Sequence, residues 1–247
     1  MLTALRSSLL LLGMIVSTIL YSLPCVMARL LPYHLCFRFI SSWCAFNTFW
    51  ARLVCGVRYE IQGLENIPEQ SCVIMSNHQS TWETLAFPGI FPTLTWVIKK
   101  ELLELPFFGW GIGGTQPIAL DRKAGKRALS ELVKDGRKKL ALGRFVLLFP
   151  EGTRMPFEDP GKLKAGGFLL ATKAAVPVLP VAHDAGRLWP SKGFLKRAGT
   201  VRVIIGDCIS SEGKSAEQLR DEYAQWLTQA RQTLADQAAT EKASQTT

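Results

Sequence analysis

The chain has 247 residues, 48% of them hydrophobic, enough for one substantial core with apolar sequence to spare, and its formal charge of +9 points to an anionic partner. Nucleic acid fits poorly: there is no zinc-finger, homeodomain or RRM-like pattern, and the basic N-terminal stretch is hydrophobic instead of flexible. A membrane surface, a phosphorylated lipid or an acidic carrier protein fits the charge better.

The excess apolar sequence lies at the N-terminus. From Ser7 to Ala28 the run SSLLLLGMIVSTILYSLPCVMA carries no charge. It is about 20 residues long, the length that crosses a hydrocarbon core, and Pro24 is placed to kink it near its end. No Asp or Glu precedes Glu60, whereas Arg6, Arg29, Arg38, Arg52 and Arg58 do, with Trp43, Phe46, Phe49 and Trp50 among them. That is membrane-interface composition. The second run, Leu30 to Val57, is broken by Arg38 and Arg52 and is expected to lie in the interface or dip into one leaflet; a span and a shallow hairpin both remain open. A signal peptide ending at "VMA" competes, but the apolar sequence continues for roughly thirty residues beyond Ala28. The positive-inside rule puts the remaining chain on the cytoplasmic side of an inner or cytoplasmic membrane. Cysteines 25, 36, 44, 55, 72 and 208 show neither CxxC nor metal spacing and are expected to be reduced, buried thiols.

Beyond Glu60, short apolar runs alternate with longer amphipathic ones, the pattern of one α/β domain without internal repeats. Strands are expected at CVIMS (72–76), TWVIK (95–99), QPIAL (116–120), RFVLLF (144–149), VPVLPVA (176–182) and VRVIIG (201–206). Helices are expected over Thr81–Phe87, Lys123–Leu142 and Gly167–Ala175. A last helix starts near Ser215, where SAEQ resembles a capping box, and Leu219, Tyr223, Trp226, Leu227 and Leu234 share one face. The text after Asp236 is polar and unpatterned and reads as a frayed tail. The expected organisation is a membrane-anchoring helical arm over 1–58, one domain over 59–235 and a tail over 236–247.

Four polar clusters each follow an apolar strand: NHQSTWE, KK, DR and PEGTR. Ligands of α/β sheets bind outside strand ends, so the four clusters suggest one shared site. His78 and Glu83 are five apart, about 140° on a regular helix, and can meet only if His78 lies in the turn before it. Thr81 could cap that helix, whose positive end favours the neutral imidazole that a general base needs. Glu83 would then hold the Nδ1 proton and leave Nε2 for a hydroxyl. The plainer alternative for this octapeptide is an ordinary turn histidine near an N-cap. In FPEGTR, Pro150 and Gly152 leave the backbone exposed, Thr153 and Arg154 offer donors suited to a phosphate, and Glu151 could bind a hydroxyl or hold an arginine. Arg122 in ALDR has a similar position, and Lys99 competes with Lys100 for a similar role.

Three other motifs lead nowhere. GWGIGG (109–114) matches GxGxxG but opens no expected helix and reads as a tight loop close to lipid. GKS at Gly213 lacks the upstream glycine of a phosphate loop, and His183–Asp184 has no second histidine or acid cluster beside it for a metal.

Taken together, NHQSTWE, KKEL, PIALDR, FPEGTR and VPVLPVA resemble the glycerolipid acyltransferase family in order and approximate spacing, over roughly residues 60–207. The resemblance implies a single mixed-sheet α/β domain that moves a fatty acyl group from a thioester, acyl-CoA or acyl carrier protein, to the sn-2 hydroxyl of lysophosphatidic acid. It implies no other cofactor and no covalent acyl-enzyme. His78 and Glu83 would be the catalytic pair, with substrate contacts from Lys100, Arg122, Glu151, Gly152, Thr153 and Arg154. Pro180 in VPVLP would match a fourth motif tied to the acyl chain or to fold support. The family's first motif usually ends in Asp, and Glu83 is one methylene longer. That departure keeps open another lysolipid or hydroxylated lipid as acceptor. A lipid-binding protein without catalysis and a thioester hydrolase are the remaining alternatives. Cys72, inside a strand, is expected in the core, and Ser76 and Ser80 lack a GxSxG elbow.

Overall fold

The computed structural model describes residues 1–159 and 161–244. Its centre is a seven-stranded sheet in the order β1-β7-β6-β2-β5-β3-β4. The strands are β1 (Val57–Gln62), β2 (Val73–Ser76), β3 (Leu94–Lys99), β4 (Ile118–Leu120), β5 (Phe145–Leu148), β6 (Val178–His183) and β7 (Gly199–Ile205). All neighbouring pairs are parallel except β6 with β7. Each of the six expected strands is present. β1 is a seventh strand that was not expected, and the boundary at 58/59 falls inside it.

The sheet is buried on both faces, and alternate residues divide between two cores. Cys72, Ile74, Phe145, Leu147, Leu179 and Val181 face one side, with α2 (Tyr33–Cys55) and α3 (Trp82–Ile90). Val73, Met75, Val146, Leu148, Val178 and Ala182 face the other. There they meet α5 (Lys126–Ala141), α6 (Gly166–Ala174) and α7 (Ala216–Ser244). Cys72 is a core residue, as expected, whereas Cys208 is exposed beyond the end of β7.

α1 (Leu2–Ala28) contains Pro24 and has an 18-residue window of mean hydropathy 2.2, of which only 22% is buried. Among the described residues it is the one helix long and apolar enough to cross a membrane. One side of α2 packs on the domain, while Leu35, Phe46, Phe49 and Leu53 remain exposed on it. Phe37, Ala51 and Cys55 enter the core, Thr48 donates to the Leu85 carbonyl, and Tyr33 donates to the Leu94 and Thr115 carbonyls. The two helices are joined by a polar knot in which Asn47 and the Trp43 indole both donate to Ser17 Oγ.

Two further departures have local causes. GWGIGG lies mostly within a short helix, α4 (Phe108–Gly113), where a loop was expected. Its glycines permit close packing: a β-carbon on Gly109 would strike the Leu103 carbonyl, and one on Gly114 would lie 2.6 Å from Ile40 Cδ1. α7 opens on the expected capping box, with Gln218 N–H donating to Ser215 Oγ and Ser215 N–H to Gln218 Oε1. It then continues to Ser244, through most of the expected tail, held by the buried Ala238 and the 2.8 Å ion pair of Arg202 with Glu241. Residues 245–247 of that tail lie outside the described residues.

Candidate active site

The four polar clusters leave the carboxyl ends of β2, β3, β4 and β5, four strands side by side in the sheet. His78 follows β2, Lys99 and Lys100 close β3, Arg122 follows β4, and Phe149 to Arg154 follow β5. Strand order thus brings together residues up to 76 positions apart in the chain (78 to 154).

The turn after β2 is built around Glu83. Its Oε1 accepts His78 Nδ1–H at 2.7 Å and the N–H groups of Gln79 and Ser80, both at 2.9 Å. Ser80 Oγ in turn accepts the Trp82 N–H. Ser80 and Glu83 therefore form a capping box for α3, so Ser80 supplies the capping hydroxyl expected of Thr81, whose side chain makes no cap bond. One carboxylate both starts the helix and orients the imidazole. Burial alone would raise the Glu83 pKa, but the imidazoles of His183 and His78 and the Ser80 N–H hold it below the ordinary range. The His78 ring stacks on Phe149 with centroids 4.0 Å apart and planes 11° apart. Its other nitrogen, Nε2, has no protein partner among the described residues, and the side chain lines an open cavity.

Behind this turn, Asn77 and His183 exchange backbone and side-chain hydrogen bonds across β2 and β6. His183 accepts the Ala185 N–H at Nδ1, and burial lowers its pKa below the ordinary imidazole value. Pro180 lies in β6 opposite Met75, where its carbonyl accepts the Gly206 N–H. It supports the sheet and does not line the cavity.

Glu151 is buried, has no arginine partner among the described residues, and accepts the His78 N–H at Oε1 at 3.3 Å. Met155 N–H donates to the His78 carbonyl at 2.8 Å, so the turn after β5 grips the His78 backbone on both sides. Burial pushes the Glu151 carboxyl up to about 8, which leaves it uncharged at neutral pH.

The cations form the rim. Arg122 is exposed and donates to the Gly152 carbonyl; it and Arg154 line the cavity. Thr153 is exposed beside them. Lys100 is bound to Asp121 at 2.6 Å, and it is the neighbouring Lys99 that reaches the cavity wall. Lys164 was not foreseen. Gly152 adopts φ +69°, and a β-carbon there would fall onto the Lys164 side chain. Among the described residues Arg122, Arg154 and Lys164 have no carboxylate within ion-pair distance. Lys164 stands ten residues beyond Arg154 in a segment without periodicity, so no sequence signal marks it.

The cavity has a volume of about 430 Å³ and runs from His78 between the domain and the two N-terminal helices. Its walls are apolar, formed by residues such as Met14, Phe37, Ile40, Leu85, Trp96 and Ile112. An imidazole base, an apolar slot and unpaired cations at its mouth can together bind a tailed anion and take a proton from its hydroxyl.

The acyltransferase family model matches residues 58–184. A 1-acyl-sn-glycerol-3-phosphate acyltransferase of Pseudomonas aeruginosa is 48% identical over 195 residues, 78% of this chain and 76% of that one. A chloroplastic 1-acyl-sn-glycerol-3-phosphate acyltransferase of Brassica napus is 34% identical over 168 residues, 66% of this chain. The match spans 48% of that longer protein. In fold, the chain is similar to the crystal structure of the 1-acyl-sn-glycerophosphate acyltransferase PlsC from Thermotoga maritima. The TM-score is 0.78 at 24% identity, covering 94% of this chain and 95% of that one.

Proposed function

The chain belongs to the acyltransferase family, and we propose that it carries a fatty acyl group from a thioester donor to the sn-2 hydroxyl of lysophosphatidic acid, giving phosphatidic acid. The observation that carries this is the position of the His78–Glu83 pair at the mouth of an apolar cavity rimmed by Arg122 and Arg154. Tail, phosphate and reacting hydroxyl each find a partner of matching chemistry.

In this mechanism His78 Nε2 takes the acceptor's hydroxyl proton as the oxygen attacks the thioester carbonyl. Glu83 holds the Nδ1–H and stabilises the imidazolium that forms. The tetrahedral intermediate expels the thiolate as its C–S bond breaks, and His78 returns the proton to that sulfur. Arg122 and Arg154 hold the acceptor phosphate. The donor is acyl-CoA or acyl carrier protein, and α1 anchors the chain in a membrane with the site on the cytoplasmic side, where such donors are made available.

The test is thiol release from acyl-CoA by the purified protein, with and without lysophosphatidic acid, in wild type and His78→Ala. Release that requires the acceptor and falls by about 10³-fold or more in the variant is expected. Release indifferent to the acceptor indicates a hydrolase, and release unaffected by the substitution removes His78 from the chemistry. Equal turnover of a phosphate-free acceptor would overturn the roles of Arg122 and Arg154.

A further inference from the structure

The segment LPFFGW, Leu105 to Trp110, is unused by the chemistry yet unusual in two respects. It exposes three large apolar side chains together, Leu105 at 47%, Phe107 at 39% and Trp110 at 47%. Phe107 also has φ +63°, a backbone conformation that costs a residue bearing a β-carbon. A soluble surface gains nothing from holding an aromatic residue outward in a strained turn.

Its surroundings identify what covers it. Leu105, Phe107, Phe108 and Gly111 line the apolar cavity, so the segment forms part of the cavity's wall. α4, which it opens, packs on α1: the Arg29 guanidinium donates to the Trp110 carbonyl, and Gly111 faces Cys25. The exposed apolar surface of α1 therefore lies beside Trp110 and Phe107, with the Arg29 guanidinium at the junction, a position that suits a cation at headgroup level.

We infer that Leu105–Trp110 is a second membrane contact, a wedge that enters the lipid interface beside α1 and opens the cavity sideways to the acyl region of one leaflet. Trp110 has the amphipathic indole of an interfacial anchor, and Phe107 adds apolar area beside it. With the wedge in lipid, a membrane-borne acceptor reaches His78 by sliding its chain along Leu105 and Phe107, and its headgroup stays at the level of Arg122 and Arg154.

The inference rests on α1 being in the membrane, and one set of labels tests both. In a Cys208→Ser background, which removes the exposed thiol, single cysteines are placed as Leu20→Cys on α1, Trp110→Cys on the wedge and Leu142→Cys on the far side of the sheet. Each carries an environment-sensitive fluorophore, and the full-length protein is reconstituted in phosphatidylethanolamine–phosphatidylglycerol vesicles. Expected at positions 20 and 110 are a blue-shifted emission and quenching by nitroxides on the lipid acyl chains, while position 142 is quenched by aqueous iodide alone. Lipid quenching at 20 with iodide quenching at 110 overturns the wedge and leaves the arm standing; iodide quenching at both overturns the arm as well. Shielding of 110 from iodide without lipid quenching also overturns the wedge, because a protein or a second copy then covers it. Function supplies a second readout: Trp110→Ser should lower turnover of vesicle-borne acceptor by about fivefold and leave a short-chain, water-soluble acceptor unchanged. Equal loss on both acceptors contradicts a role in membrane access.

Discussion

Two neighbouring turns at the top of the sheet are built in opposite ways. After β2, a dense set of hydrogen bonds fixes the turn that carries His78: Glu83 Oε1 accepts three, Ser80 caps the helix, Asn77 is locked to His183, and Glu151 holds the His78 N–H. After β5, Thr153 and Arg154 are exposed, and the exposed Lys164 side chain lies over Gly152. Proton transfer tolerates little positional error, whereas long cations can follow a phosphate and bind it by charge. The first turn is therefore rigid by hydrogen bonding, and the second is left open to solvent and ligand.

Removing charge from the rigid turn should have the largest effect. Glu83→Gln keeps the size of the side chain but loses the charge that stabilises the imidazolium. A loss in kcat of about 10²- to 10³-fold with little change in KM is expected in steady-state kinetics. A loss below about threefold would mean that the turn needs only its hydrogen bonds.

The next effect concerns stability. Because the folded Glu151 carboxyl titrates at about 8, above its ordinary value, its contribution to stability is fully present below the unfolded pKa and is lost as pH rises to 8 and beyond. Glu151→Gln cannot ionise, so its thermal unfolding should show a flatter pH dependence between about 5 and 9. It should be the more stable protein at the alkaline end by on the order of 2 kcal/mol. Parallel profiles for the two proteins would show that Glu151 stays charged beneath His78.

The smallest effect belongs to the open turn. Arg154→Ala should raise KM for lysophosphatidic acid about tenfold with kcat nearly unchanged, and the difference should shrink as salt is raised. A phosphate-free acceptor should not register the change. A fall in kcat instead of a rise in KM would make the second turn as much a part of the proton-transfer geometry as the first.

Much of this was legible before any coordinates. The strands were readable because residues buried on both faces form short apolar runs, and the common site was readable because four such runs each end in a polar cluster. His78 with Glu83 could be recognised as a pair only by assuming the turn that the structure contains. The direction in which each side chain points was not readable. Glu151, Thr153 and Arg154 are adjacent in one motif, yet the first turns inward beneath His78 and the other two outward. Lys99 and Lys100 exchanged their expected places because Asp121, brought alongside by the pairing of β3 with β4, binds the second.

By itself, then, the sequence determined the α/β class, the apolar N-terminal helix, the pairing of His78 with Glu83 and the cationic character of the candidate site. Those properties follow from local periodicity, composition and residue chemistry. Only the tertiary structure decided that one side of α2 packs on the domain, that GWGIGG folds as a helix against α1, that Glu151 supports His78 and that Lys164 lies over Gly152. Each depends on which strands are neighbours and which helix faces meet, and contacts between segments distant in the chain leave no periodic trace in either one.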